Sequence, residues 1–501
     1  MANRADLANF ISNTDSFKQA QHSMYPPGTE YISSYIESRG GPFPATMFVG
    51  LQAFLRQYLT KPITVDNIDD AEFLSEEQGV PFNRKGWVEL LKDYDGFLPV
   101  EIEAVPEGTV VPTRNVLVQI VNTDPKYFWI TNFFEAALLR SVWYPTSVGT
   151  ISWMCRKIVE EALRRTSDLP QIVARKFLHD FGFRGVSSLE SGSLGGMAHL
   201  VNFDHTDTAA GPLAAKKYYN AVAPGFSAVN MEHSAVSAWT RPQEGAMFLS
   251  IMNMYKGRVP FVGLLTDTYD NEHCIRRILG KELKEAIKNF PGMIGARIDS
   301  GDPEQVPADT TEWLMESFGY ETNSKGFKVL PPYIRVIQGD GLTIETIRGL
   351  YIELERRGLA ADNVFCGMGG GLLQRVNRDT LNFGQKTNAV CVNGEWIDVY
   401  KKPTGSTMKH SKAGRLGLKY ADGNYETVRR GSISPEENVL KPVFRNGKLL
   451  RMFSFAEVIA NSERQVPESY YEDVIAPMRR SSRPAKSRSA KSAARRKRSV
   501  G

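Results

Sequence analysis

The chain has 501 residues, 42% hydrophobic and 23% charged. It is too long for one small core and too apolar for a disordered protein, so two or three domains are expected. The formal charge of +5 belongs to the end of the chain: from Arg479 onward there are ten Lys or Arg and no acid, which leaves 51 basic against 56 acidic residues, about −5, in the body. No apolar run is long enough to span a bilayer, and the opening Met-Ala-Asn-Arg-Ala-Asp lacks the apolar centre of a signal peptide. Cys155, Cys274, Cys366 and Cys391 lie far apart without metal-ligand spacing. A reduced, cytoplasmic protein without a structural metal is expected.

In chain order, residues 47–59 have helical apolar spacing. Val100, Ile102 and Ala104 alternate with glutamates, as in a half-buried strand, and further short strands end at 116–121. This block, 1–145, reads as part of a β-rich, antiparallel domain. Ile151, Met154, Cys155, Ile158, Val159 and Ala162 then share a helical face. From there the pattern changes. Apolar runs at 197–203, 226–231, 259–265, 293–298, 333–337 and 364–366 each finish in a polar loop before a helix. Repeated strand–loop–helix units predict parallel strands with helical crossovers over 146–386. In a barrel of that kind the site forms at the strands' C-terminal ends; an open doubly wound sheet fits the same pattern. In 387–478, Asn393-Gly394, Asp422-Gly423 and Asn446-Gly447 predict three two-residue hairpins, a second portion of the β-rich domain. Residues 479–501 read as a disordered basic tail. It is solvated, or it binds nucleic acid through salt-dependent charge contacts.

The loops carry the chemistry. Residues 364–379 read as a buried strand, a cluster at Gly367, Gly369, Gly370 and Gly371, and a helix with Arg375 and Arg378. Glycines let backbone N–H groups approach an anion, and the helix start adds positive potential, so this is a candidate phosphate cradle; a tight turn needing glycine for packing is the other reading. Arg184, Arg297 and Arg378 suit a substrate with more than one phosphate. Asp340, between two glycines, suits the hydroxyls of a ribose. Phe181 suits stacking on a flat ring or a place in the core. Asp207 suits a ligand or a helix cap, and Asp299 and Asp302 a site or a capped turn. His233 suits catalysis or capping, and Glu232 and Asp267 a supporting role.

These residues fall in runs that resemble the nicotinamide phosphoribosyltransferase family of type II phosphoribosyltransferases: HDFGFRGVSS at 179–188, HLVNF at 199–203, TDT at 206–208 and EHS at 232–234. RIDSG at 297–301, PPYIRVIQGDG at 331–341, GGGLLQ at 369–374 and RD at 378–379 follow in the same order. The resemblance covers about 13–455 and implies an incomplete α/β barrel with a β-rich second domain built from both chain ends. It implies transfer of phosphoribose from phosphoribosyl pyrophosphate to nicotinamide; nicotinate is the alternative base on the same fold. It implies that Phe181 stacks on the base, Asp207 accepts from the carboxamide, Arg297 binds phosphate or pyrophosphate and also borders the ring, and Ile298 is among the substrate-binding residues. By the same carry-over, Asp299 lies near the reacting carbon, Gly339 and Asp340 hold the ribose, and Gly369, Gly370 and Arg378 hold the 5′-phosphate. Arg184 contacts the pyrophosphate side. His233 matches a histidine phosphorylated by ATP as an optional co-substrate. Mg²⁺ is held mainly by substrate phosphates. The family is a homodimer in which Asp15 and Phe17 of one chain cover the base in the other. Phe17 stands where the family often has tyrosine, Gly263 where some members have serine, and Met368 where a small residue is usual.

Overall fold

The structure is a computed structural model that describes residues 6–402, 404 and 410–481. Among the described residues, two seven-stranded sheets dominate. The first is antiparallel and runs, in spatial order, Glu395–Asp398, Phe383–Val392, Thr29–Ser38, Val116–Asn122, Val100–Ala104, Lys441–Arg445 and Lys448–Leu449. It interleaves the two ends of the chain: Tyr31 pairs with Cys391 and Ser38 with Phe383. The Asn-Gly and Asp-Gly turns form as expected. Asn393, Asp422 and Asn446 all have positive φ, as do the glycines that follow them, the backbone that a tight hairpin needs to match strand twist.

The second sheet is parallel throughout: His205–Thr206, Leu178–Asp180, Val364–Met368, Ile334–Gln338, Met293–Ile298, Phe261–Leu265 and Val229–Asn230. It curls. Phe226 forms a bridge to His205 at one edge, and three residues later Val229 pairs with Val262 at the other. The rings of Phe261 and Phe365, on strands with two others between them, meet across the concave face at 6.4 Å. An incomplete barrel with a β-rich domain built from both chain ends is therefore the architecture.

Several local expectations are corrected. Residues 197–203 are not a strand; they lie at the end of the helix Leu189–Leu200, and the strand follows in the supposed loop, at His205–Thr206. The helix forms because Gly196 packs against Gly211 of the next helix, where an added Cβ would lie 3.1 Å from the Gly211 Cα. Residues 226–231 are mostly unpaired, with strand only at Val229–Asn230. Residues 47–59 open with the end of a strand, Ala45–Met47, before turning helical at Leu51.

The boundaries at 145 and 386 fall inside elements. One helix runs Glu135–Thr166, with Pro145 within it, and Phe383–Val392 is one strand of the antiparallel sheet. That helix joins the domains. Its Thr146 and Thr150 hydroxyls accept from Val49 (3.2 Å) and Met47 (3.0 Å), and its Gly149 carbonyl accepts from Asn202 (3.1 Å) on the barrel side. Buried Glu107 makes a second joint, accepting from the Gly50 and Gln52 amides and from the Tyr219 hydroxyl at 2.6 Å. The boundary at 479 also falls inside a helix, Glu472–Ser481. Arg479 there pairs with Glu161 at 3.0 Å and Glu468 at 2.5 Å. The rest of the proposed tail lies outside the described residues. The four cysteines are buried and unbridged.

Candidate active site

Arg297 is the pivot. It ends the strand Met293–Ile298 and is 8% exposed. Its guanidinium donates to the Met231 carbonyl at 2.9 Å, pairs with Asp299 at 3.3 Å, and lies 5.2 Å from the centre of the Phe181 ring. Its Nε is buried with no hydrogen-bond partner. A planar cation held over an aromatic face forms one wall for a flat ligand. Phe181 is positioned by glycine: a Cβ on Gly367 would lie 2.0 Å from the Phe181 ring. The strand pairing carries on at the Phe181 amide, which donates to the Met368 carbonyl at 3.0 Å.

Asp207 enters from the sheet edge. Its amide donates to the Asp180 carbonyl at 2.8 Å, and its carboxylate accepts from Ser227 at 2.6 Å. It remains exposed at the mouth, yet protein crowds the carboxyl enough that lost hydration raises its pKa. The Ser227 hydrogen bond and the charges of Arg297 and Arg184 pull it back down. Arg184 sits exposed in the turn Phe183–Gly185.

The remaining loops touch one another. The Asp299 amide donates to Asp267 at 2.8 Å, as does the Ser300 hydroxyl at 2.5 Å. The Gly339 amide donates to the Ile298 carbonyl at 2.7 Å, and a Cβ there would sit 2.6 Å from an Asp299 oxygen. A side chain at 339 would thus displace the carboxylate. Asp340 is exposed beside it. A Cβ on Gly371 would lie 2.6 Å from the Leu342 carbonyl, and one on Gly185 would lie 3.5 Å from the Gly370 Cα. A Cβ on Gly370 would meet nothing within 4 Å, so its surface is open. Gly369 precedes the short helix Gly370–Leu373, whose first N–H groups have no intrahelical partner. His233 opens the helix His233–Ala238; its Nδ1 is 3.1 Å from the Thr268 hydroxyl and its Nε2 is 3.8 Å from Asp299.

Phe181, Arg184, Asp207, His233, Arg297, Ile298, Asp299, Gly339, Asp340, Gly369 and Gly370 therefore belong to one connected mouth. Others do not join it in the same way. Asp302 caps the following turn, accepting from the Glu304 and Gln305 amides at 2.9 and 3.2 Å. Glu232 accepts from Ser234. Arg378 is engaged with Asp379 at 2.9 Å. Around it lies a basic group that the sequence reading did not single out: the charges of Arg39, Lys401 and Arg378 hold the Lys386 ammonium below its ordinary pKa, after burial and against Glu135. The Asp15–Phe17 segment is held by Thr14 to the Phe133 carbonyl (2.5 Å), at the end of the short helix Ile130–Phe133, and by Lys18 to Glu135 (2.7 Å), the first residue of the long helix. Phe17 is left exposed. Ser227 and the Met231 carbonyl were also missed. The signal for Ser227 was weak, a polar residue inside an apolar run.

A parallel curled sheet thus carries arginines, glycine turns and carboxylates at its C-terminal rim, the arrangement expected of a phosphoribosyltransferase, a pentosyl-transferring enzyme. Comparison with known proteins agrees. The sequence model of the Nicotinate phosphoribosyltransferase (NAPRTase) family matches residues 177–448, and that of "Nicotinamide phosphoribosyltransferase, N-terminal domain" matches 9–102. The nicotinamide phosphoribosyltransferase of Xanthomonas campestris pv. campestris (strain 8004) is 42% identical over 91% of this chain and 98% of its own. That of Acinetobacter baylyi is 27% identical over 90% and 96%. Among solved structures, the nicotinate-nucleotide pyrophosphorylase from Pyrococcus furiosus superposes with a TM-score of 0.62 at 15% identity, covering 93% of this chain and 98% of its own. Human nicotinic acid phosphoribosyltransferase does so with 0.55 at 16%, covering 91% and 95%. The chain belongs to the nicotinate phosphoribosyltransferase (NAPRTase) family. No helix among the described residues is long and apolar enough to cross a membrane.

Proposed function

We propose that this enzyme makes nicotinamide mononucleotide and pyrophosphate from nicotinamide and phosphoribosyl pyrophosphate, a step of NAD salvage. The observation that carries the choice of base is Asp207, a carboxylate coupled to the Arg297 and Phe181 wall. A carboxylate accepts from a carboxamide N–H and repels the carboxylate of nicotinate. The relatives named above as nicotinamide phosphoribosyltransferases support the same base. The nicotinate reading keeps fold and chemistry and differs at this one contact.

The ring nitrogen attacks the anomeric carbon while the bond to pyrophosphate breaks. Positive charge develops on the ribose and negative charge on the leaving group. Asp299 faces the former; Arg297 and Arg184 stabilise the latter. Gly339 and Asp340 hold the ribose hydroxyls, and Gly369 and Gly370 with Arg378 hold the 5′-phosphate. Mg²⁺, when bound, would be held mainly by the substrate phosphates and would add positive charge beside the leaving group. ATP is the optional co-substrate: His233 Nε2 attacks the γ-phosphorus as the bond to ADP breaks, and water later releases phosphate. Thr268 holds the other ring nitrogen. The active unit is a homodimer in which Asp15 and Phe17 reach the partner's base, in the cytoplasm. Any contact with nucleic acid is assigned to the chain's basic end, which has ten Lys or Arg from Arg479 onward.

Product analysis tests the reading. Nicotinamide with phosphoribosyl pyrophosphate is expected to give the mononucleotide and one equivalent of pyrophosphate, faster than nicotinate does. A faster reaction with nicotinate would overturn the choice of base. For His233, ATP is expected to leave an acid-labile phosphate on the protein that is absent from His233→Ala. Equal labelling of both would remove the histidine's role.

A further inference from the structure

Asn230 has no part in the account so far. Both polar atoms of its side-chain amide are buried without a hydrogen-bond partner. Asn230 pairs with Gly263 across two parallel strands, and its side chain lies over that glycine: a Cβ on Gly263 would meet Asn230 Oδ1 at 2.1 Å and Ile337 Cδ1 at 3.7 Å. Ile337 lies beyond the intervening strand Met293–Ile298, so the face in question is the concave one. Gly295 shows the same face, its Cβ position lying 2.5 Å from the Phe261 ring and 2.7 Å from Ile337. Arg297, two residues along that strand, projects from this face too. It grips the carbonyl of Met231, the residue after Asn230, at 2.9 Å. The Asn230 amide thus sits on the same inner wall as Arg297, whose Nε is equally unpartnered.

A buried amide left without partners is strongly disfavoured, and a site built to hydrogen-bond a ligand keeps such groups for it. Asp207 can accept a hydrogen bond from the NH₂ of a carboxamide but offers nothing to its carbonyl oxygen. We propose that Asn230 is the second base-binding residue, its Nδ2 donating to the carbonyl oxygen of the ring substituent, and that Gly263 is glycine to make room for it. The inference rests on the base site being where the proposed function puts it. It also separates two tasks. A carboxylate oxygen accepts from Asn230 as readily as an amide oxygen, so Asn230 holds either base, and Asp207 alone discriminates between them.

The test is steady-state kinetics of the full-length enzyme with nicotinamide, nicotinate and phosphoribosyl pyrophosphate. Asn230→Ala is expected to raise KM for both bases alike, by about tenfold for one lost hydrogen bond, with KM for phosphoribosyl pyrophosphate unchanged. Gly263→Ser drives a side chain into the amide and is expected to raise the same constants. Combining it with Asn230→Ala recovers most of the loss, because the serine hydroxyl then occupies the vacated space. A thermal melt checks that the variants are folded; if Asn230→Ala is not, Asn230→Ser is read in its place, with an intermediate rise expected. Base KM values within twofold of the parent for the folded variant overturn the inference, as does a double variant no better than Gly263→Ser. Asp207→Asn is run in parallel. If it changes the preference between bases while Asn230 variants move neither constant, the inference falls and the proposed function stands. If neither base is a substrate, both fall.

Discussion

The two seven-stranded sheets differ in what their buried, unpartnered polar atoms are: in the antiparallel sheet they are neutral, Ser33 Oγ, Gln119 Nε2, Gln385 Oε1 and Asn388 Oδ1, whereas those of the parallel sheet and its rim include ionisable groups. In the antiparallel sheet and its joints the buried acids are paired: Glu103 with Arg430, Glu37 with Lys412 and the Tyr35 hydroxyl, and Glu107 with two amides and Tyr219. In the curled parallel sheet, Arg297 Nε, Asp267 Oδ1, His179 Nδ1, His205 Nδ1 and both ends of Asn230 are buried with no partner. His179 and His205 stack at 4.3 Å, and burial first, then each other's charge, holds the His179 ring well below its usual pKa. A charge in a scaffold must be satisfied within the protein, because an unpaired one is disfavoured in the folded state. A binding site instead keeps polar groups available for its ligand. The difference marks which domain holds and which domain reacts.

Breaking the pivot of the reactive sheet has the largest expected effect. Arg297→Ala loses the cation over Phe181 and the contacts to Met231 and Asp299, and kcat/KM falls by about 10³-fold with little change in the unfolding midpoint. Arg297→Lys stays at least about 100-fold down, because an ammonium does not span both partners. Parent-like activity in the lysine variant would reduce Arg297 to a point charge. The converse change is in the scaffold. Glu107→Ala leaves the Gly50 and Gln52 amides and the Tyr219 hydroxyl without their acceptor, and urea unfolding should show a loss of about 3 kcal/mol, with KM values unchanged. A shift in base KM instead would mean the joint reaches the site.

A smaller effect sharpens the role of Asp207. Its carboxyl is raised from the usual 3.8 by burial, so as pH falls it protonates sooner than an ordinary aspartate and loses its capacity to accept from the amide. KM for nicotinamide should rise on the acid side by about tenfold per pH unit once below that pKa, a limb that Asp207→Asn lacks. The smallest effect concerns the chain end. Truncation after Met478 removes the Arg479 bridge between Glu161 and Glu468 and should lower stability by about 1 kcal/mol. Truncation after Ser481 should change neither stability nor turnover.

Much of the site was legible because parallel strands announce their C-terminal ends. An apolar run that stops at Arg-Ile-Asp-Ser-Gly or Gln-Gly-Asp-Gly leaves polar residues one place to go, and Arg297, Asp299, Gly339 and Asp340 were placed at the rim as candidates that way. The hairpins at Asn393, Asp422 and Asn446 were legible because positive φ restricts residue choice. What was lost is non-local. An apolar run such as 197–203 has no period that separates strand from helix; the contact of Gly196 with Gly211 decides it. Pro145 concealed a helix that crosses a domain boundary. Ser227, Asn230 and the Lys386 group became functional candidates only once distant strands were set side by side.

The central claim is that the rim of the parallel sheet reads an amide base through Asp207. The ratio of kcat/KM for nicotinamide to that for nicotinate, measured in the parent and in Asp207→Asn, tests it most directly. The account predicts a parent ratio well above one and a fall of about tenfold or more in the variant. A parent ratio below one, or a ratio unchanged by the substitution, would contradict it.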